Sequence, residues 1–329
     1  MYPRISTAYA NANIALVKYW GKSDQALNIP AVSSLSMTLD NFGTSVSVED
    51  SLSTRLVING EEAQGAKQSR LVDFLHALKA LGLPTEELCI TSSSTIPIAS
   101  GLASSAAFFA ALSVALNHHF SWGLTAQALS TVARLGSASA ARSLFSGFSA
   151  LHGGTNLTHE DARAFSVTGP KNLSLLIAMV DGAEKHISSR QAMNHTSESS
   201  PFFKAFVEGS RDDFEHGLAA LEAHQFETLG AIMEHSTLKM FATMWAAQPA
   251  IMYWQPATLA LVNLIYQIRK QHGPIAFFTM DAGPQVKILT QQQHLEKVAN
   301  IVKSSGLAQR LLPTKPGLGA YLVEGVPHS

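Results

Sequence analysis

The chain has 329 residues, 46% hydrophobic and only 14% charged, with a net charge of −1, against roughly 25% charged in an average domain. That length makes two domains the default, and that composition supplies large cores and excludes wholesale disorder. Near-neutral charge leaves no global basic field for nucleic acid or an anionic membrane, so any anionic ligand must be met by local cations and backbone amides.

The first residues, MYPRISTAYANANIALVKYW, lack the apolar core of roughly 7–15 residues that a signal peptide carries. No apolar run approaches the roughly 20 residues of a membrane span, so a cytoplasmic, reducing location is expected. Strands are predicted over 5–60, through TAYANANIALVKYW, SSLSMTL, TSVSVED and TRLVING. Alternation puts Asn11, Asn13, Ala15, Val17 and Tyr19 on one face of the first strand. Ala12, Ile14, Leu16, Lys18 and Trp20 fall on the other. A lysine among such neighbours either snorkels or serves a site. Lys22 follows Gly21 in a turn and could reach a phosphate.

SRLVDFLHALKALG (69–82) is predicted as an amphipathic helix with Leu71, Phe74, Leu75 and Leu78 on one face and Gly82 at its end. ELCITSSSTIP reads as a strand carrying a buried thiol, Cys89, the only cysteine. One cysteine excludes an intramolecular disulfide framework and a cysteine-rich metal site.

TIPIASGLASSAAFF (95–109) then opens a helix predicted at about 104–119. Bare amides at a helix start, flanked by tiny side chains, suit an anion. An Ala-rich helix closely packed on a sheet, with Ser104 or Ser105 as its N-cap, is the other reading. No GKS or GKT follows, so it is not a Walker A loop. His118 and His119 are expected at a solvated helix end.

After a helix at 125–135 comes GSASAARS (136–143), where Ser137 and Ser139 flank a segment whose lone strong charge is Arg142. An arginine so presented suits bidentate recognition of a carboxylate or phosphate. A structural arginine bonded to loop carbonyls fits equally.

An apolar strand is predicted at 172–182, with the domain boundary just before it, giving 1–168 and 169–329. A second Ser-Arg pair, Ser189 and Arg190, follows. Helices are expected across 199–246 and 256–273, strand–turn–strand over 274–290, a helix at 294–306 and a closing strand at 320–325. Asp281 sits in the turn FFTMDAGPQVK, where it either closes an Asx-turn or serves as a base. Helices on antiparallel strands make the class α+β.

Taken together, PIASGLASSAA resembles the phosphate loop of the GHMP kinase superfamily. ANIALVKYWGK, GLASSAA, RLGSASAARSLFSGF and MDAGPQ, in that order, resemble the mevalonate diphosphate decarboxylase family within it. The resemblance implies a ribosomal-S5-like N-terminal domain and a ferredoxin-like C-terminal domain. It also implies ATP-dependent phosphorylation of (R)-mevalonate 5-diphosphate at its 3-hydroxyl. Loss of that phosphate with CO2 then gives isopentenyl diphosphate.

By matching position, Asp281 takes the catalytic carboxylate's place, Arg142 holds the C1 carboxylate, and Lys18 neutralises charge beside them. Tyr19, Lys22, Ser137, Ser139, Ser189 and Arg190 join Arg142 in binding substrate. Gly101, Leu102, Ala103, Ser104 and Ser105 cradle ATP, with Mg²⁺ beside it. No resident metal site is expected, and neither is a nucleic-acid or membrane partner. Sparse charge and the resemblance favour a homodimer. Two positions depart from the pattern: Gln285 stands where Asn is expected, and Ala138 where Gly is usual. A relative acting on the 5-monophosphate, a 3-kinase and a silent nucleotide-binding member are the rival readings.

Overall fold

The computed structural model describes residues 4–97, 102, 104–180 and 187–323. Its first half runs β1 (Ile5–Val17), β2 (Lys22–Asp24), β3 (Ile29–Pro30), β4 (Ser34–Asp50), β5 (Arg55–Ile58), β6 (Glu61–Glu62), α1 (Ala66–Ala80), β7 (Leu88–Ser94), α2 (Ser104–His119), α3 (Ala126–Gly136), α4 (Ala140–Ser143), β8 (Phe148–Leu151) and β9 (Ala164–Val167). The second half runs β10 (Leu173–Met179), α5 (Ser189–Ser199), α6 (Phe203–Glu222), α7 (Phe226–Trp245), α8 (Pro256–His272), β11 (Phe277–Thr279), β12 (Val286–Gln291), α9 (Leu295–Ser304), β13 (Arg310–Thr314) and β14 (Tyr321–Leu322).

In the first half an eight-stranded sheet follows the order β14-β1-β4-β7-β5-β6, with β8 on β4 and β9 on β8. α2 lies against β1 and β4. Its Ala106, Ala107, Ala110, Ala111 and Ala115 are fully buried, and this is why the helix is built of small residues. A Cβ on Gly136 would lie 2.0 Å from the Phe109 ring, so α3 and α2 approach through a glycine. The close-packed reading of this helix therefore holds for its body. Its first residue, Ser104, is exposed.

The second sheet has the order β11-β12-β10-β13, every neighbouring pair antiparallel. Counted along the chain that order is 2-3-1-4, the ferredoxin-like arrangement. The crossover from β10 to β11 holds α5 to α8, and a bidentate ion pair fixes its end. Arg269 donates to Glu234 Oε1 at 2.7 Å and Oε2 at 2.9 Å, while Glu234 also accepts the Phe278 N–H at 2.9 Å. The pair holds β11, the strand leading to Asp281.

The halves share a core. Ile14, Leu16 and Val17 of β1 cluster with Leu173, Leu175, Phe277 and Leu289 of the second sheet. The last strand returns to the first sheet, where Tyr321 pairs with Tyr9 of β1.

Two local expectations fail. Register shifts between Asn11 and Asn13, and between Ala15 and Val17, break the simple alternation of β1, and Lys18 lies just beyond the strand. His119 is no solvated helix end: it is 1% exposed and pairs with Asp50 at 2.8 Å, while His118 is exposed and bonds Ser6. The sequence window showed only a helix terminus, whereas Asp50 arrives from β4.

Candidate active site

The end of β1, the segment through α4 and the turn after β11 bring Lys18, Arg142 and Asp281 together. Lys18 Nζ donates to Asp281 Oδ1 and to the Ala15 carbonyl, each at 2.9 Å. Its side chain is 1% exposed and that of Asp281 25%, so the carboxylate is the partner open to a ligand. Burial pushes the Lys18 ammonium below its ordinary pKa, Asp281 opposes that shift, and Arg142 adds to it.

Arg142 is buried and donates to Ser34 Oγ at 2.7 Å and Asn13 Oδ1 at 3.3 Å, with Nε left without a partner. Asn13 is oriented by its own amide, which donates to the Ser139 carbonyl at 2.9 Å and Ser143 Oγ at 2.8 Å. The guanidinium pKa is drawn down to about 10 by burial, against Asp281 and Tyr19. These neutral acceptors do not repay a buried cation in full, and that favours an anionic ligand.

The cations continue outward. Tyr19 is pushed up to about 12 by burial, with Arg142 and Arg190 opposing. Lys22 is drawn down to about 8 by burial first, then by Arg190 and Arg70. Arg70, drawn to about 10 by burial and Arg190, donates to the Gly136 carbonyl at 2.7 Å and lies 4.8 Å from the Phe109 ring centroid. Its Nε is buried without a partner.

Sequence reasoning missed Arg70, because helix periodicity marks α1 as amphipathic but does not say what its polar face meets. Gly21, with φ +86°, gives the turn that aims Lys22; a Cβ there would also strike Phe203 at 2.4 Å.

Hydroxyls connect this pocket to the start of α2. Ser137 Oγ lies 3.0 Å from Ser139 Oγ and 3.4 Å from Ser105 Oγ. Leu102 contributes to the shared core through its side chain, so only its backbone could serve an anion. Gly101 and Ala103 lie outside the described residues. Ser188 caps α5 through a capping box with Gln191, and Ser189 and Arg190 follow in the first turn. Of the two departures, Gln285 is buried and accepts the Val180 N–H at 2.6 Å, tying the Asp281 turn to the end of β10. Ala138 is buried as well.

Among the described residues no cluster of three or more histidine, cysteine or acidic side chains could hold a metal alone. Magnesium keeps waters and binds through one or two carboxylates plus substrate phosphates. The hydroxyls of exposed Ser104 and half-buried Ser105 suit an ion that arrives with a nucleotide. No helix among the described residues is long and apolar enough to cross a membrane.

Comparison with known proteins identifies the family. A model described as the diphosphomevalonate decarboxylase-like N-terminal domain matches residues 10–164. One described as the mevalonate 5-diphosphate decarboxylase C-terminal domain matches 175–312. Diphosphomevalonate decarboxylase of Debaryomyces hansenii is 32% identical over 322 residues, covering 90% of this chain and 82% of the relative. Phosphomevalonate decarboxylase of Haloferax volcanii is 29% identical, covering 92% and 93%. A solved structure of MDDEF in complex with MVAPP, AMPPCP and magnesium superposes with a TM-score of 0.91 at 33% identity, covering 98% of this chain and all of that one.

Proposed function

Since the chain belongs to the diphosphomevalonate decarboxylase family, we propose that the pocket around Lys18, Arg142 and Asp281 carries out ATP-dependent decarboxylation of (R)-mevalonate 5-diphosphate. The products are isopentenyl diphosphate, ADP, phosphate and CO2. The observation that carries this reading is the 2.9 Å contact of Lys18 with Asp281 beside a buried arginine, at the inner end of a row of cations.

Asp281 accepts the proton of the 3-hydroxyl as the phosphoryl group is transferred to it. Lys18 offsets the negative charge gathered there. Arg142 grips the C1 carboxylate and fixes the dihedral that places the breaking C–C bond anti to the departing phosphate. Carbocation character at C3 is met by the substrate's own anions and by fixed dipoles. Tyr19, Lys22, Arg70, Ser137, Ser139, Ser189 and Arg190 hold the diphosphate. The start of α2, residues 101–105, takes the ATP phosphates. Mg²⁺ would be held there by Ser104 or Ser105 together with the nucleotide phosphates, and would supply charge neutralisation.

The direct test counts CO2 and ADP from purified protein, Mg-ATP and (R)-mevalonate 5-diphosphate. Equal yields support the decarboxylase, and ADP without CO2 replaces it with a 3-kinase.

Arg70 favours the diphosphate over the 5-monophosphate, because three cations (Lys22, Arg70 and Arg190) act on one another at the outer end of the row. Arg70→Gln raises KM for the diphosphate at least about tenfold, the cost of one charge-assisted contact, and spares kcat. Steady-state kinetics check this. A wild-type enzyme that prefers the monophosphate, with an unaffected Arg70→Gln variant, would remove Arg70 from substrate recognition.

Lys22 gives the site a pH limb. Its free-enzyme pKa is about 8, and a bound diphosphate raises it, so binding takes up a proton above that pH. Hence kcat/KM falls as pH rises through about 8. Lys22→Arg, whose charge persists, moves the fall to higher pH; a limb unmoved by that substitution assigns the titration elsewhere.

The same reading makes the enzyme a cytoplasmic homodimer with no nucleic-acid partner, supported by its net charge of −1 and 14% charged residues.

A further inference from the structure

We propose that two adjacent residues of α7, Ser236 and Thr237, are positioning residues that set the separation of Lys18 and Asp281. This rests on the roles assigned above to that pair.

The two catalytic partners come from opposite halves of the chain. The β1–β4 ladder ends at Val17 opposite Leu35, so the Lys18 N–H is past its last strand partner. It donates instead to Ser236 Oγ, at 2.9 Å. On the other side, Thr279 ends β11 two residues before Asp281, and its hydroxyl lies 3.0 Å from Thr237 Oγ1. Thr237 spends its own proton on the Met233 carbonyl at 2.8 Å. The proton between the two threonines is therefore that of Thr279. One helix thus holds Lys18 with one residue and the approach to Asp281 with the next, and adjacent Cα atoms are about 3.8 Å apart. Thr279 Oγ1 is also 3.4 Å from the Ala15 carbonyl, the same oxygen that accepts Lys18 Nζ.

All three hydroxyls are fully buried. Apolar side chains would fill such positions without the desolvation cost of a hydroxyl. The hydroxyls are explained by what they hold.

The experiment compares Ser236→Ala and Thr237→Val with two references. Thr237→Ser keeps the hydroxyl. Thr243→Val removes one from the same helix that is buried but bonded only to the Met240 carbonyl. In the first two variants kcat falls about tenfold to a hundredfold, the effect of displaced reacting groups, while KM for both substrates holds. The basic limb of the kcat profile moves to lower pH, because Asp281 loses hold of an ammonium that burial and Arg142 both disfavour. Both reference variants behave as wild type. Crystal structures of Ser236→Ala and Thr237→Val show Lys18 Nζ beyond hydrogen-bond distance of Asp281.

The inference is overturned if those variants lose only thermal stability, keeping wild-type kcat, the same basic limb and a 2.9 Å contact. A wild-type enzyme that releases no CO2 refutes the proposed reaction instead, and the Lys18–Asp281 distance in the variant structures then still decides the role of α7.

Discussion

Asp281→Asn lowers kcat by about three orders of magnitude, within the range a positioned general base supplies, and leaves KM for (R)-mevalonate 5-diphosphate nearly unchanged. The amide keeps the shape of the carboxylate and can still face Lys18, but it no longer accepts a hydroxyl proton. A second loss compounds the first. Asp281 is the group that opposes the downward push of burial on Lys18, so the variant's lysine sheds its proton more readily and offsets less charge.

The same linkage sets the sign of the stability effect. With its pKa lowered further in the folded state, Lys18 binds fewer protons folded than unfolded, so stability is poorest at low pH and recovers as pH rises. The fall in Tm relative to wild type therefore shrinks with rising pH. Rapid-quench measurement of the phosphoryl-transfer step, alongside Tm at several pH values, checks both parts. A variant that turns over within about tenfold of wild type, well short of the general-base range, leaves Asp281 as a structural turn residue.

Arg142→Met costs about 2–5 kcal/mol in kcat/KM, roughly thirtyfold to several thousandfold, yet does not lower Tm. The arginine is fully enclosed and bonded to two neutral oxygens, those of Ser34 and Asn13, with Nε unsatisfied. Folding therefore bears the desolvation of a cation whose intended partner is the substrate carboxylate. An unbranched apolar side chain of similar length relieves that cost. Arg142→Lys does not restore turnover, because a point charge cannot reproduce a planar fork on a carboxylate. Calorimetry and steady-state kinetics on the two variants test the idea together. A large drop in Tm with intact kcat/KM would return Arg142 to the structural reading that its sequence context also allowed.

Local patterns carried much of this protein. The apolar spacing of α1, the apolar run that marks β10, the strand–turn–strand over 274–290 and the small-residue opening of α2 are written in windows of ten to twenty residues. The groups singled out in those windows, Lys18, Arg142 and Asp281, do meet. Each stood out because a charged side chain sat among small or apolar neighbours, and such a residue must find a partner elsewhere.

Where the partner lies is a long-range matter, and only the tertiary structure decides it. Lys18 and Asp281 are 263 positions apart. In the sequence Arg70 is one polar residue among several in 69–82, and α1 places it beside Lys22 and Arg190. Ser236 is one serine of a long helix, and the end of β1 docks on it. His119 looked solvated until β4 brought Asp50. Periodicity reports which face of an element is buried, since burial acts on each side chain as its own chain position presents it. It carries no information on which polar groups the buried and half-buried faces bring together. That pairing is set by how the two large sheets and nine α-helices among the described residues pack around their cores, one of which the two halves share.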